Sequence, residues 1–287
     1  MSERRGFLKS AGASIAGLAA FAVLAHRHFA TTAQSVRSSP AGSGLSLTGD
    51  AERLNFALQL TLLEARFYRH AADSGLSDDA LANAGRQGVV RHGRRMTFSD
   101  PEIGRHAQEF AADTAAQVRA LRCQLGGAAV AQPAFGPTEG MRRAVSRPEE
   151  VVAALYPFSC DIVFLLAAYM IGNRNPAAHR MLLLGAEDQK VRATLARVLA
   201  DAIYRQGVIG GLVATSAAAD PVTEQAVASI QAMQNSLEGA GASDRSDGNV
   251  DFIDSQGQAT AFLRTPGQIV KVLSIQAGLF RTGAFSP

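Results

Sequence analysis

The sequence predicts an all-α protein, an antiparallel four-helix bundle with additional C-terminal helices. Three observations carry that prediction. Beyond residue 48 the chain is rich in Ala and Leu, contains no Trp and shows hardly any strand-like alternation. Apolar residues recur at spacings of three and four through several long stretches. Helix start and stop signals bracket each stretch, and polar segments join them.

The first 33 residues stand apart. Arg4 and Arg5 are followed by Gly6, Phe7, Leu8 and Lys9, then by an apolar run from Ala11 to Ala25 that Arg27 closes. Fifteen such residues fall short of the ~20 that a membrane-spanning helix needs. A charged start, a moderately apolar middle and a small-residue exit near Ala33 describe a cleavable signal. The paired arginines resemble the twin-arginine type, which implies the twin-arginine translocase as a partner and a periplasmic or otherwise extracytoplasmic destination. Cleavage there would remove Arg4, Arg5, Lys9, Arg27 and Glu3, taking the net charge from +3 to about zero. The basic balance thus belongs to the signal and gives no reason to expect a nucleic-acid partner. Residues 34–48, rich in Ser, Gly and Ala, read as a flexible leader.

The bundle is expected over residues 49–206. Asp50 opens a helix through about Ala72, with Leu54, Ala57, Leu58, Leu60, Leu63 and Phe67 on its apolar face. A basic loop follows, in which Arg86, Arg91, Arg94 and Arg95 offer a surface for an anionic partner or simply a solvated charge run. Ser99 and Asp100 before Pro101 start a second helix, which Gly126 and Gly127 stop. Ser146, Pro148, Glu149 and Glu150 announce a third helix ending near Gly172. Asn175-Pro176 opens a fourth, expected to continue to about Arg205. Residues 207–287 read as an extension packing on the bundle: a helix from Pro221 to Leu237, a linker from Gly239 to Gly248, and a short helix from Gly267 to Ala277.

The second and fourth helices share a fragment, Thr114 to Ala120 in one and Glu187 to Ala193 in the other, each with two polar positions three apart before Val-Arg-Ala. The first helix, LNFALQLTLLEARFY, resembles the opening helix of the exported bacterial ferritin-like family that includes plant desiccation-related proteins. The resemblance continues through Arg122–Pro133, Ala168-Tyr169 and Arg264-Thr265-Pro266, and covers most of the mature chain.

The resemblance implies a ferritin-like bundle and a di-iron centre, to which helices one and three each give a Glu and helices two and four each a Glu-x-x-His pair. Carried across one position at a time, those ligands fall on Thr61, on Thr114 and Gln117, on Cys160, and on Glu187 and Lys190. Glu64 is available if the first helix is shifted by a turn. Only one of six ligands survives, and Thr, Gln and Lys cannot supply the charge that two cations need. The expected cofactor is therefore none, with iron or manganese as the alternative. Two placements are open for Lys190: inward, as a buried cation paired with Glu187, Glu64 or Asp161, or on a solvated face.

The resemblance thus implies an exported, non-enzymatic protein of stress tolerance or binding, with a di-metal oxidoreductase or metal-handling protein as the alternative. His106 and His179 are expected at opposite ends of the bundle, and His70 and His92 on the surface. Cys123 and Cys160 are expected as two free thiols, since their levels differ by roughly 9–13 Å along the bundle axis. No phosphate-binding loop or catalytic triad pattern stands out.

Overall fold

A computed structural model describes residues 47–72, 96–132 and 156–238. The described residues form six α-helices and no strand: α1 (Asp50–Ala72), α2 (Pro101–Leu125), α3 (Asp161–Gly172), α4 (Asn175–Gly185), α5 (Gln189–Ala219) and α6 (Pro221–Glu238). The all-α class and the boundaries of the first two helices agree with the sequence reading. Asp100 caps α2 by accepting from the Glu102 N–H at 2.8 Å, Pro101 needs no N–H at that position, and Gly126 ends the helix at φ +55°. The Arg86–Arg95 loop, the Gly239–Gly248 linker and the Gly267–Ala277 helix lie outside the described residues.

Two boundaries differ from the sequence reading. Cys160 is extended, and Tyr156–Ser159 form a turn closed by the Ser159 N–H on the Tyr156 carbonyl at 3.0 Å. The third helix therefore starts at Asp161 among the described residues, and its Ser146–Glu150 start lies outside them. The expected fourth helix is two helices. Asn175–Gly185 runs on from α3 past a break at Asn173-Arg174, because Pro176 has no N–H to give to the Gly172 carbonyl. Ala186 then turns extended, and Asp188 caps a fresh start by accepting from the N–H groups of Lys190 at 2.7 Å and Val191 at 3.0 Å. The third bundle helix is thus α3 with α4, kinked in the middle, and the fourth is α5.

Two aspartates set the register. Asp50, the first residue of α1, accepts from the N–H groups of Glu187 at 3.0 Å and Asp188 at 2.7 Å, just ahead of α5. Asp161, the first residue of α3, accepts from the N–H groups of Ser99 at 3.1 Å and Asp100 at 2.8 Å, just ahead of α2. α1 and α5 therefore start at one end of the bundle, and α2 and α3 at the other. The hairpin α1–α2 and the hairpin α3/α4–α5 repeat one pattern, an Asp opening the first helix and an Asp capping the second.

α1 is buried on nearly every side, Glu64 and Arg66 included, as expected of a helix surrounded by its neighbours. The apolar core falls into two clusters. One holds Phe67, Tyr68, Phe110, Phe158, Phe164, Ile171 and Ile209, with Phe67 and Phe164 stacked at 5.3 Å. The other holds Leu58, Leu62, Val118, Leu121, Leu182, Leu195 and Val198. On each bundle helix the change from one cluster to the other falls at mid-length, around Glu64, Thr114, Gly172–Pro176 and Ala202–Arg205.

α6 packs on α3 and α5 and closes the kink. Asn173 and Gln234 exchange two side-chain amide bonds, at 2.6 and 2.8 Å, both residues being buried. No helix of the described residues is long and apolar enough to cross a membrane.

Candidate functional site

The divide between the two apolar clusters is a polar layer. Glu64, Thr114, Asn175, His179 and Arg205 are all buried there, each within 2 % of full burial. The register explains why these residues meet. Glu64 stands fourteen residues after Asp50, and Asn175 fourteen after Asp161. Thr114 and Gln117 stand fourteen and seventeen after Asp100, as Ala202 and Arg205 do after Asp188. Repeating hairpins with matched caps therefore carry six equivalent positions to one level: Glu64, Asn175, Thr114 with Gln117, and Ala202 with Arg205.

The dominant interaction is an ion pair. Arg205 Nη2 donates to Glu64 Oε2 at 2.9 Å, with the two side chains 3 % and 2 % exposed. Its charge reaches further. Burial, reinforced by repulsion from Arg205, pushes the His179 pKa down to about 3, so the imidazole is neutral. Burial and the charge of Glu64 drive the Tyr68 hydroxyl well above its ordinary value. At the layer's edge, burial and repulsion from Glu109 raise the Asp113 carboxyl, with Arg205 acting in the opposite sense. Gln117 donates to Asp201 at 2.6 Å, and Thr114 bonds back to the Phe110 carbonyl at 2.6 Å. Thr61 likewise turns back, onto the Ala57 carbonyl at 2.8 Å.

Several sequence-derived placements change. Thr61, Thr114 and Gln117 are buried as expected, and Glu64, the one-turn alternative, is the α1 residue that joins the pair. Lys190 and Glu187 are exposed and form no core pair, so of the two placements open for Lys190 the solvated face is the one found. They lie in the loop and first turn that Asp50 and Asp188 hold at the bundle's end. The fragment shared by the second and fourth helices had aligned Thr114 with Glu187, whereas the caps align it with Ala202, fifteen residues further on. Cys160 sits at the start of α3 and so cannot occupy the mid-bundle level. Asp161 is spent on the N–H groups ahead of α2. His70 is not a free surface residue: it lies within hydrogen-bond distance of the Tyr156 hydroxyl, at 3.0 Å, and against Phe158. Cys123 and Cys160 are free thiols.

His179, expected at one end of the bundle, lies instead in the mid-bundle layer four residues after Asn175, and Arg205 is the residue that sequence reasoning passed over. The signal that finds Arg205 is the equal spacing from the four aspartates.

A di-metal centre is what the family resemblance implies for this layer. Its six positions hold one carboxylate, two amides, one hydroxyl, one alanine and one guanidinium. The carboxylate is already bonded to the guanidinium, a permanent cation that would repel a metal ion in the same space. Such a donor set does not fit two divalent cations. Among the described residues no group of three His, Cys, Asp or Glu side chains could hold a metal.

A family model of the ferritin-like domain matches residues 49–282. No curated protein and no solved structure matches the chain. The family match spans every described helix, from the aspartate that opens α1 to the end of α6, and the chain belongs to the ferritin-like domain family.

Proposed function

We propose that this chain is an exported ferritin-like protein whose bundle centre is held by the Glu64–Arg205 ion pair in place of a di-metal site. It acts without metal catalysis, as an envelope protein of stress tolerance or as a binding scaffold. The observation that supports this most is the guanidinium at the level where the family's ligands converge: Arg205 engages Glu64, the one carboxylate among the six equivalent positions, at 2.9 Å. A cation fixed by the chain does the electrostatic work of a metal without its redox chemistry or open coordination positions. The extracytoplasmic setting rests on Arg4 and Arg5 ahead of the Ala11–Ala25 run.

The test is an anaerobic calorimetric titration of the mature chain with Fe(II) and with Mn(II). The expected result is no saturable binding at whole-number stoichiometry. Two tight sites per chain would overturn the proposal and turn the reading toward a metal-handling protein or oxidoreductase.

A further inference from the structure

We infer that the polar layer is a closed hydration site: a small cluster of ordered water molecules held by Arg205, His179, Asn175 and Gln206 is the occupant of the bundle centre. The inference rests on the metal-free reading above and goes one step further, to what takes up the remaining hydrogen bonds.

The ion pair uses only part of what converges there. Arg205 Nε and Nη1, both ring nitrogens of His179, Asn175 Oδ1 and Gln206 Oε1 are buried with no hydrogen-bond partner among the described residues. His179 is completely buried, and Arg205 and Asn175 are each 2 % exposed. Buried polar atoms in native proteins are paired in the great majority, with protein or with ordered water. Six such atoms in one layer mark a site with its own occupant.

Two observations place these atoms around shared space. The caps carry Asn175 and Arg205 to one level, His179 stands four residues after Asn175 on the same face of α4, and Gln206 follows Arg205 on α5. A Cβ added at Gly172 would stand 3.5 Å from Glu64 Oε1 and 3.7 Å from Gln206 Oε1, so glycine leaves room beside the ion pair at the kink.

The chemistry of the six atoms selects the occupant. Arg205 Nε and Nη1 only donate, Asn175 Oδ1 and Gln206 Oε1 only accept, and a neutral His179 offers one N–H and one lone pair. An anion cannot donate to the two amide oxygens and would meet the charge of Glu64. A metal cation would meet the guanidinium. The occupant must be small and uncharged, and must both donate and accept, which is water making two to four bonds to polar walls. Each of the six atoms is shielded from solvent, so water bound to them exchanges with bulk only when the surrounding side chains move.

Deuterium relaxation dispersion of water in solutions of the mature chain tests this, with Asn175→Leu and His179→Leu as comparison variants. The expected result is a dispersion step at the protein's tumbling rate from internal water of long residence, smaller in both variants. Equal steps in all three proteins would overturn the inference. If a variant fails to fold, the wild-type chain labelled with 15N-histidine decides. The His179 ring N–H should then show direct cross-relaxation with water, and its absence would overturn the inference. Metal analysis of the same sample separates the two readings, since bound iron or manganese would overturn the metal-free reading itself. A metal-free chain without internal water would overturn only the hydration site.

Discussion

Replacing Arg205 with Met should be among the most damaging single changes in this chain. The guanidinium and the Glu64 carboxylate meet at 2.9 Å with 3 % and 2 % of their side chains exposed, so water screens neither of them. Taking away one partner strands the other charge in the core, which costs on the order of 3–5 kcal/mol. Against a total stability of roughly 5–15 kcal/mol, that is a third or more of what holds a typical domain folded. Glu64→Gln should cost a similar amount, because it leaves Arg205 unpaired.

Replacing both, as Glu64→Leu with Arg205→Met, removes the two desolvated charges together. That double variant should return to wild-type stability or exceed it by about 1–4 kcal/mol, since buried pairs often do no better than apolar residues of similar size. Urea unfolding of the four proteins gives the coupling energy directly, provided the slope with denaturant stays constant. Additive effects of under ~1 kcal/mol each would show that Arg205 reaches solvent, and the electrostatic account of the centre would fail.

Three further outcomes follow. The His179 pKa lies at about 3 in the fold against an ordinary 6.5, so its contribution is complete above pH 6.5 and is lost as pH falls from there toward 3. A shift of that size amounts to roughly 4–5 kcal/mol, and unfolding measured across this window should lose most of its slope in His179→Leu. Backbone hydrogen bonds from Asp188 and Glu187 hold the Asp50 carboxyl below its ordinary 3.8, so its contribution is present above that pH and lost as pH falls through the lower folded value. Asp50→Ala should cost about 1–2 kcal/mol at neutral pH and less in acid, as read by thermal unfolding at both. Lys190 is exposed, and Lys190→Met should change stability by under ~0.5 kcal/mol.

What the sequence made legible was local. Asp50, the Ser99-Asp100-Pro101 start, the Gly126-Gly127 stop and Pro221 each act on the backbone within a turn of themselves, and the helices begin or end where they stand. The break itself was legible in Asn175-Pro176 after Gly172, but not that α3 and α4 together make one kinked bundle helix. Asn173 and Arg174 keep near-helical angles, and what stabilises the break is an amide pair with Gln234, 61 residues away. Gly185 and Asp188 did carry stop and start signals, but apolar spacing continues across them and masks the break.

The site was harder still, because its membership depends on which helix ends meet. That is settled by Asp50 reaching the N–H groups of Glu187 and Asp188, a contact that no spacing within one helix reveals. A fifteen-residue error in matching α5 to α2 was enough to keep an inward placement open for Lys190 and to leave Arg205 unnoticed. Glu64 was within reach because the uncertainty in α1 was a single turn.

The central claim is that a chain-borne cation has replaced the metals of the ferritin-like centre. Its most direct test is the metal content of the protein purified without chelators. The account predicts well under one iron or manganese per chain, unchanged in the Glu64→Leu, Arg205→Met double variant. Two tightly held metals per chain, lost when Glu64 is replaced, would contradict it.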